Sequence, residues 1–246
     1  MPDDCLWTWG NLPFLNYLAA RDSCASAYLN GFMMDDTAFP IRETRIENMR
    51  EMMSAAPALH INDNIWGYYP QLRKYADRYR AELLYQNDLY EVYAVDRSMW
   101  HPSDANFGGE IRFVGYDLLP VDGPYCAGDT LTLAMTWEQM STPTHQYQMF
   151  VQLLTPDETA RIAGYDGPPE DHRSRNATNT WVDMGEVRLG DRFDMSIDAD
   201  AATGDYKLIV GLYDVESIQR VMVLDASGAP VGSYAVLQNI EVSDCD

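Results

Sequence analysis

The chain is 246 residues long, 46% hydrophobic, with 38 acidic side chains against 17 basic ones and a formal net charge of −21. That length suits two domains at roughly 100–200 residues each and leaves enough apolar material for sizeable cores. The acidic excess repels phosphate backbones and anionic lipid headgroups, which argues against nucleic acid as a partner.

The charge is uneven. Residues 1–100 carry 14 acidic and 9 basic side chains, a net of −5, and residues 101–246 carry 24 and 8, a net of −16. Solubility or a salty habitat accounts for such a surface; calcium held by some of the aspartates is the sharper reading. No run approaches the ~18–20 apolar residues of a membrane span. Met1-Pro2-Asp3-Asp4 is acidic and lacks a basic, then apolar, leader, so no signal peptide is expected here. The protein is then either cytosolic or cut from a longer exported chain. Cys5, Cys24, Cys126 and Cys245 show no C-x-x-C spacing, which disfavours zinc.

Residues 1–98 read as a small α/β domain. Cys5 to Trp9 is a short strand ending at Gly10, and Asn11 can cap a helix through Leu18. Ile46, Met49, Met52, Met53 and Ala56 recur at helical spacing until Pro57 stops them. Ala58 to Ile61 is a second strand. A helix from Pro70 follows, with Leu72, Tyr75, Ala76, Tyr79 and Leu83 on one face. Leu89 to Val95 is a third strand. Alternating strands and helices predict a mostly parallel, three-stranded sheet. The aromatic cluster Trp66, Tyr68, Tyr69, Tyr75 and Tyr79 suits core packing better than a sugar platform.

Residues 99–109, with Pro102, Ser103, Asp104, Asn106 and a Gly pair, read as a linker. Residues 110–246 read as an antiparallel β-sandwich of about eight strands. Leu131, Leu133, Met135 and Trp137 alternate with Thr130, Thr132, Ala134 and Thr136 as in a half-buried strand. The stretch Gly204 to Asp214 is apolar on both faces, which makes it a central strand. Gly211 leaves a gap in its rear face, where a ring or a backbone can approach closely.

No catalytic motif of comparable clarity is present, and no residue is assigned a catalytic role. Asp166, Glu170 and Asp171 surround Gly167-Pro168-Pro169. They read as solvated acids on a rigid loop, with a calcium site or a glycoside-hydrolase carboxylate pair as alternatives. No other cofactor is implied. Trp181 sits in a polar loop and is either a sugar-stacking face or a lid folded onto the core; Tyr165 and Trp9 are further glycan-contact candidates.

The string Ile111-Arg112-Phe113-Val114-Gly115-Tyr116-Asp117-Leu118, then Gly128-Asp129-Thr130-Leu131, Trp137, Phe150 to Leu154, Tyr165 to Pro169, Thr180-Trp181, Gly185-Glu186 and Gly204 to Asp214, resembles a sandwich domain of bacterial membrane proteins. Those proteins are similar to the dolichyl-phosphate-mannose protein mannosyltransferase family. Trp7-Thr8-Trp9-Gly10, Tyr17, Arg21, Pro57 and Tyr93 to Arg97 fit the soluble segment after the last membrane helix of such transferases more loosely. The resemblance implies a non-catalytic, extracytoplasmic accessory region, membrane-tethered through a missing N-terminal part. It would position acceptor or glycan, or support the parent transferase's membrane domain. The catalytic acid and the membrane helices of those enzymes have no counterpart in this sequence. The alternatives are a free-standing exported glycan-binding protein and a hydrolase using carboxylates near Asp166.

The cysteines are expected to pair within domains, Cys5 with Cys24 and Cys126 with Cys245. The second pair follows if the first and last sandwich strands run side by side and parallel, bringing both cysteines to one end. Such bonds persist only in an oxidising compartment; four reduced thiols in a cytosolic protein is the alternative.

Overall fold

The computed structural model describes residues 6–9, 46–47, 49–50, 53–54, 59–62, 70–88, 91–170, 177–243 and 245. The described residues are mostly β, with several antiparallel pairings and little helix. It divides into two compact units, Met1–Ser98 with Gly185–Val187, and Met99–Met184 with Arg188–Asp246.

In the first unit β1 (Leu6–Trp9) and β2 (Leu59–Asn62) are followed by helix α1 (Pro70–Tyr79), β3 (Arg80–Gln86) and β4 (Glu91–Val95). The expected mostly parallel, three-stranded sheet is corrected here. Among the described residues there are four strands in the order β1-β2-β4-β3, of which β1 and β2 pair in parallel and the other pairs are antiparallel. The segment from Asn87 to Tyr90 joining β3 to β4 is far shorter than the dozen or so residues a parallel crossover needs, so this pair closes as a hairpin. Leu83, expected on the helix face, lies in β3, because backbone pairing with β4 overrides the helical spacing. Tyr75 and Tyr79 are buried and meet edge to face at 4.8 Å, with the Arg97 guanidinium 5.3 Å from the Tyr79 ring. They are core, as their helical spacing suggested. Trp66, Tyr68, Tyr69, Cys5, Cys24 and the helix expected after Asn11 lie outside the described residues.

The second unit holds β5 (Trp100–Phe107), β6 (Ile111–Leu119), β7 (Tyr125–Cys126), β8 (Thr130–Gln139), β9 (Tyr147–Leu154), β10 (Arg161–Gly167), β11 (Val187–Leu189), β12 (Phe193–Ser196), β13 (Gly204–Asp214), β14 (Val223–Leu224), β15 (Pro230–Gly232) and β16 (Ala235–Ser243). One sheet runs β10-β9-β13-β16-β7 and the other β11-β8-β6-β5-β14-β15, with β12 beside β8. Residues expected to be a linker at 99–109 are instead strand β5 and its turn. Ala105 and Phe107 alternate into the core, Pro102 sits beside a register irregularity, and Gly108 and Gly109 take φ of +64° and +76° to turn into β6.

Alternating side chains of the central strands of both sheets feed one buried cluster. Leu131, Leu133, Met135 and Trp137 of β8 meet Met149, Val151 and Leu153 of β9 and Tyr206, Leu208, Val210 and Leu212 of β13. Two sheets around one core is a sandwich-like layering. Trp137 stands at its centre, its ring 4.9 Å from Phe113 and its Nε1–H donating to the Pro169 carbonyl at 3.1 Å. The half-buried reading of β8 is corrected: Ala134 and Thr136 are also fully buried, so both faces are covered.

A disulfide joins Cys126 to Cys245, with α-carbons 5.8 Å apart. The route differs from the expected one. β6, the expected first strand, lies in the other sheet, and it is the two-residue β7 that runs parallel to β16, pairing Cys126 with Ser243.

Two outcomes follow from this packing. A Cβ on Gly211 would fall within 3.0 Å of three atoms of the Phe150 ring, so Gly211→Ala is expected to cost about 1–3 kcal/mol in urea unfolding. Burial, chiefly, and the neighbouring Glu110 push the Tyr147 phenol up to about 12, against a lowering bond from Thr144. The unfolded chain ionises first, near pH 10, so this contribution is whole below pH ~10 and lost as pH rises towards ~12. Tyr147→Phe should therefore show a shallower alkaline fall in stability than the parent.

Candidate functional site

The site lies on the face of the β10-β9-β13 layer turned away from the core. Pairing register places Asp166, Phe150 and Gly211 side by side across the three strands. The next row is Gly164, Gln152 and Ile209, and Tyr213 pairs with Gln148 on the other side. All share one face because strand side chains alternate and Tyr206, Leu208, Val210 and Leu212 take the other. Gly211 and Gly164 contribute no side chain, which hollows the surface between longer neighbours.

The hollow is an open groove of about 270 Å³ lined by Phe150, Gln152, Asp166, Tyr213, Ile218 and Arg220. Phe150 forms its floor and is only 3% exposed. The Arg220 guanidinium stands 4.5 Å from the centre of that ring, in cation–π contact. The Tyr213 ring lies 6.4 Å from Phe150, and its hydroxyl donates to Gln148 Oε1 at 3.0 Å. Burial first, then the charge and hydrogen bonding of Asp166, push the Tyr213 phenol above its ordinary value.

The loop after β13 delivers Arg220. Asp214 accepts from the Glu216 amide at 3.1 Å and the Ser217 hydroxyl at 2.6 Å, and its carbonyl accepts from the Ile218 amide at 2.8 Å. The Ser217 hydroxyl, followed by the Glu216 amide, holds the Asp214 carboxyl below its usual range. The chain thereby reverses, and Arg220 bridges back to Tyr213. Ile218, at the groove's edge, is 67% exposed and takes φ of +58°, a costly backbone for a β-branched residue and one that tends to cluster at binding sites.

The residues singled out from sequence fare differently. Asp166 lines the groove. Tyr165, on the adjacent position, points to the other face and stacks on Phe193 at 3.9 Å, packed against the core. Trp181 is 1% exposed, with Arg188 4.7 Å from its ring and its carbonyl accepting from Gln139 at 3.0 Å. It is a core lid and offers no face to a sugar. Trp9 lies on β1 opposite Asn62; its side chain is outside the described residues. Glu170 is buried against Arg188 at 2.8 Å and does not line the groove. Its oxygen already faces a cation, which disfavours calcium there. Asp171 lies outside the described residues, and among the described residues no three His, Cys, Asp or Glu gather to hold a metal.

Phe150, Gln152, Tyr213, Ile218 and Arg220 were not marked from sequence. The available signal was the gap at Gly211 in a face otherwise apolar, together with the period-two set Gln148, Phe150 and Gln152 that could fill it.

No family model matches the chain and no curated protein does, so the resemblance to transferase tails rests on the quoted residues alone. Among solved structures, the C-terminal domain of wzt matches with 18% identity and a TM-score of 0.39, over 61% of this chain and 84% of that one. A chain of a CaDoc0917–CaCohA2 complex matches with 16% identity and a TM-score of 0.22, over 48% of this chain and 91% of that one.

The burial of Trp181 separates core from groove. Trp181→Ala should destabilise the protein by about 3–5 kcal/mol in urea unfolding. Tyr213→Ala, at the partly exposed groove wall, should cost about 1–2 kcal/mol or less.

Proposed function

We propose that the second unit is a β-sandwich that binds a saccharide in the groove over Phe150 and Gly211. The observation that carries this is the lining itself: an aromatic floor and wall, a carboxylate, an amide and a guanidinium converging on one open hollow. Sugar rings present apolar C–H faces and a rim of hydroxyls. Tyr213 and the side of Ile218 suit the first, while Asp166, Gln152 and Arg220 suit the second, accepting and donating from fixed strand positions. A hollow just under the ~300 Å³ of the smallest usual ligand pockets suits one sugar unit of a chain that continues into solvent.

The Cys126–Cys245 disulfide supports an extracytoplasmic setting, since such bonds last in oxidising compartments. In that setting the unit would serve as a glycan-holding accessory to the membrane part of a lipid-linked-sugar glycosyltransferase, as the sequence resemblance implies. The hydrolase alternative is less well supported, because Asp166 is the one carboxylate among the residues lining the groove and hydrolysis needs two.

Screening the protein on an oligosaccharide array, followed by calorimetric titration of the best ligand, tests the reading. Tyr213→Ala and Gln152→Ala are each expected to weaken binding about tenfold with the circular dichroism spectrum unchanged. A folded protein that binds nothing on the array, or binding unaffected by both substitutions, would overturn it.

A further inference from the structure

The groove is lined by one cation and one anion that do not pair. Among the described residues Arg220 makes no ion pair or hydrogen bond, although Asp166 lines the same hollow. The contrast within this unit is informative. Arg112 pairs with Glu138, Arg188 with Glu170 at 2.8 Å, and Lys207 with Glu158 at 2.9 Å. On a surface with 24 acidic and 8 basic residues over 101–246, Arg220 is a guanidinium that lines a groove beside a carboxylate without pairing with it. It stands 4.5 Å from the centre of the Phe150 ring, a contact through the ring face that uses none of its N–H donors.

We infer that the groove selects an uncharged, hydroxyl-bearing saccharide and rejects acidic ones, a step that rests on the glycan reading above. A hydroxyl group both donates and accepts, so neighbouring hydroxyls can bridge the gap, one donating to Asp166 and another accepting from Arg220. Uronate, sialate or phosphate groups placed to meet Arg220 would also meet Asp166 in the same small hollow. They would have to approach through the field of a unit whose net charge over 101–246 is −16. A single Arg offsets Asp166 and leaves nothing to counter that field. A direct Arg220–Asp166 ion pair would instead close the hollow; their separation is what leaves room for a bridging ligand.

The test compares neutral oligosaccharides of glucose, mannose, galactose and N-acetylhexosamine with oligogalacturonate and oligomannuronate, at about 20 mM and about 500 mM NaCl, where screening lengths differ several-fold. The expected result is binding of neutral members only at low salt, with affinity changing less than about twofold between the two salts. Asp166→Asn and Arg220→Gln should each lower that affinity about tenfold, the loss of one charged hydrogen-bond partner. Uronates binding as tightly as neutral sugars at low salt would overturn the charge selection and leave the glycan reading standing. Wild-type binding that neither substitution weakens would overturn both the selection and the groove's assignment. Failure of every oligosaccharide of both classes would remove the glycan reading and this inference with it. Free glycine, a zwitterion carrying the same pair of charges as the groove, is the control; its competing with the neutral sugar would also overturn the hydroxyl-bridge account.

Discussion

The pairing of β13 with β9 is the contact on which the rest of the second unit depends. It runs without a break from Lys207 opposite Leu154 to Asp214 opposite Tyr147. Because side chains alternate, this single register sends Leu208, Val210 and Leu212 with Leu153, Val151 and Met149 into the shared core. It also sends Gly211, Tyr213, Phe150 and Gln148 to the outer face. A slip of one residue would exchange the two sets, exposing a leucine-rich row and burying polar amides. Each buried Leu or Val is worth about 1.5–3 kcal/mol, so the core pins the register far more strongly than the groove does. The groove inherits its geometry from packing on the opposite side of the sheet.

That inheritance explains why Gly211 matters twice. Inside the sheet it is a weak position, with no side chain to pack. On the outer face it lets the Phe150 ring lie down across β13, and the flat ring in turn receives the Arg220 guanidinium. The loop that carries Arg220 is held by Asp214, the last residue of the same strand. Wall and cation therefore belong to β13 and its immediate continuation, and the floor, Phe150 of β9, lies against Gly211 of that strand. Rigid placement of this kind reduces the ordering cost that binding would otherwise incur.

The Cys126–Cys245 bond works on the same sheet from its edge. β7 is two residues long and pairs with β16 through little more than Tyr125 and Cys126. The covalent link closes a sequence separation of 119 residues and ties the chain just beyond the last strand to β7. In the chain-entropy model a loop of that size is worth up to about 4–5 kcal/mol, most of it through the unfolded state. A unit with a strongly acidic surface repels itself, and a constraint of this kind offsets part of that repulsion.

Local patterning in the sequence determined the β character of the second half, the central place of Gly204 to Asp214, the gap at Gly211 and the helical spacing of Tyr75 and Tyr79. These depend on residues two to four apart, which periodicity reads directly. What only the tertiary structure decided depends on residues far apart. Asp166, Phe150 and Gly211 come into one row through two separate strand registers, which no local pattern specifies. Tyr165 and Asp166 are adjacent, yet one packs on Phe193 and the other lines the groove, and the choice follows from which face β9 presents. Trp181 in a polar loop is buried among core residues, a placement set by contacts distant in sequence. Residues 100–107 looked like a linker by composition and became a strand because β6 and β14 offered their edges to its backbone. In the first unit the β3–β4 pair is antiparallel because its connection is too short for a parallel crossover, a matter of connection length rather than strand propensity.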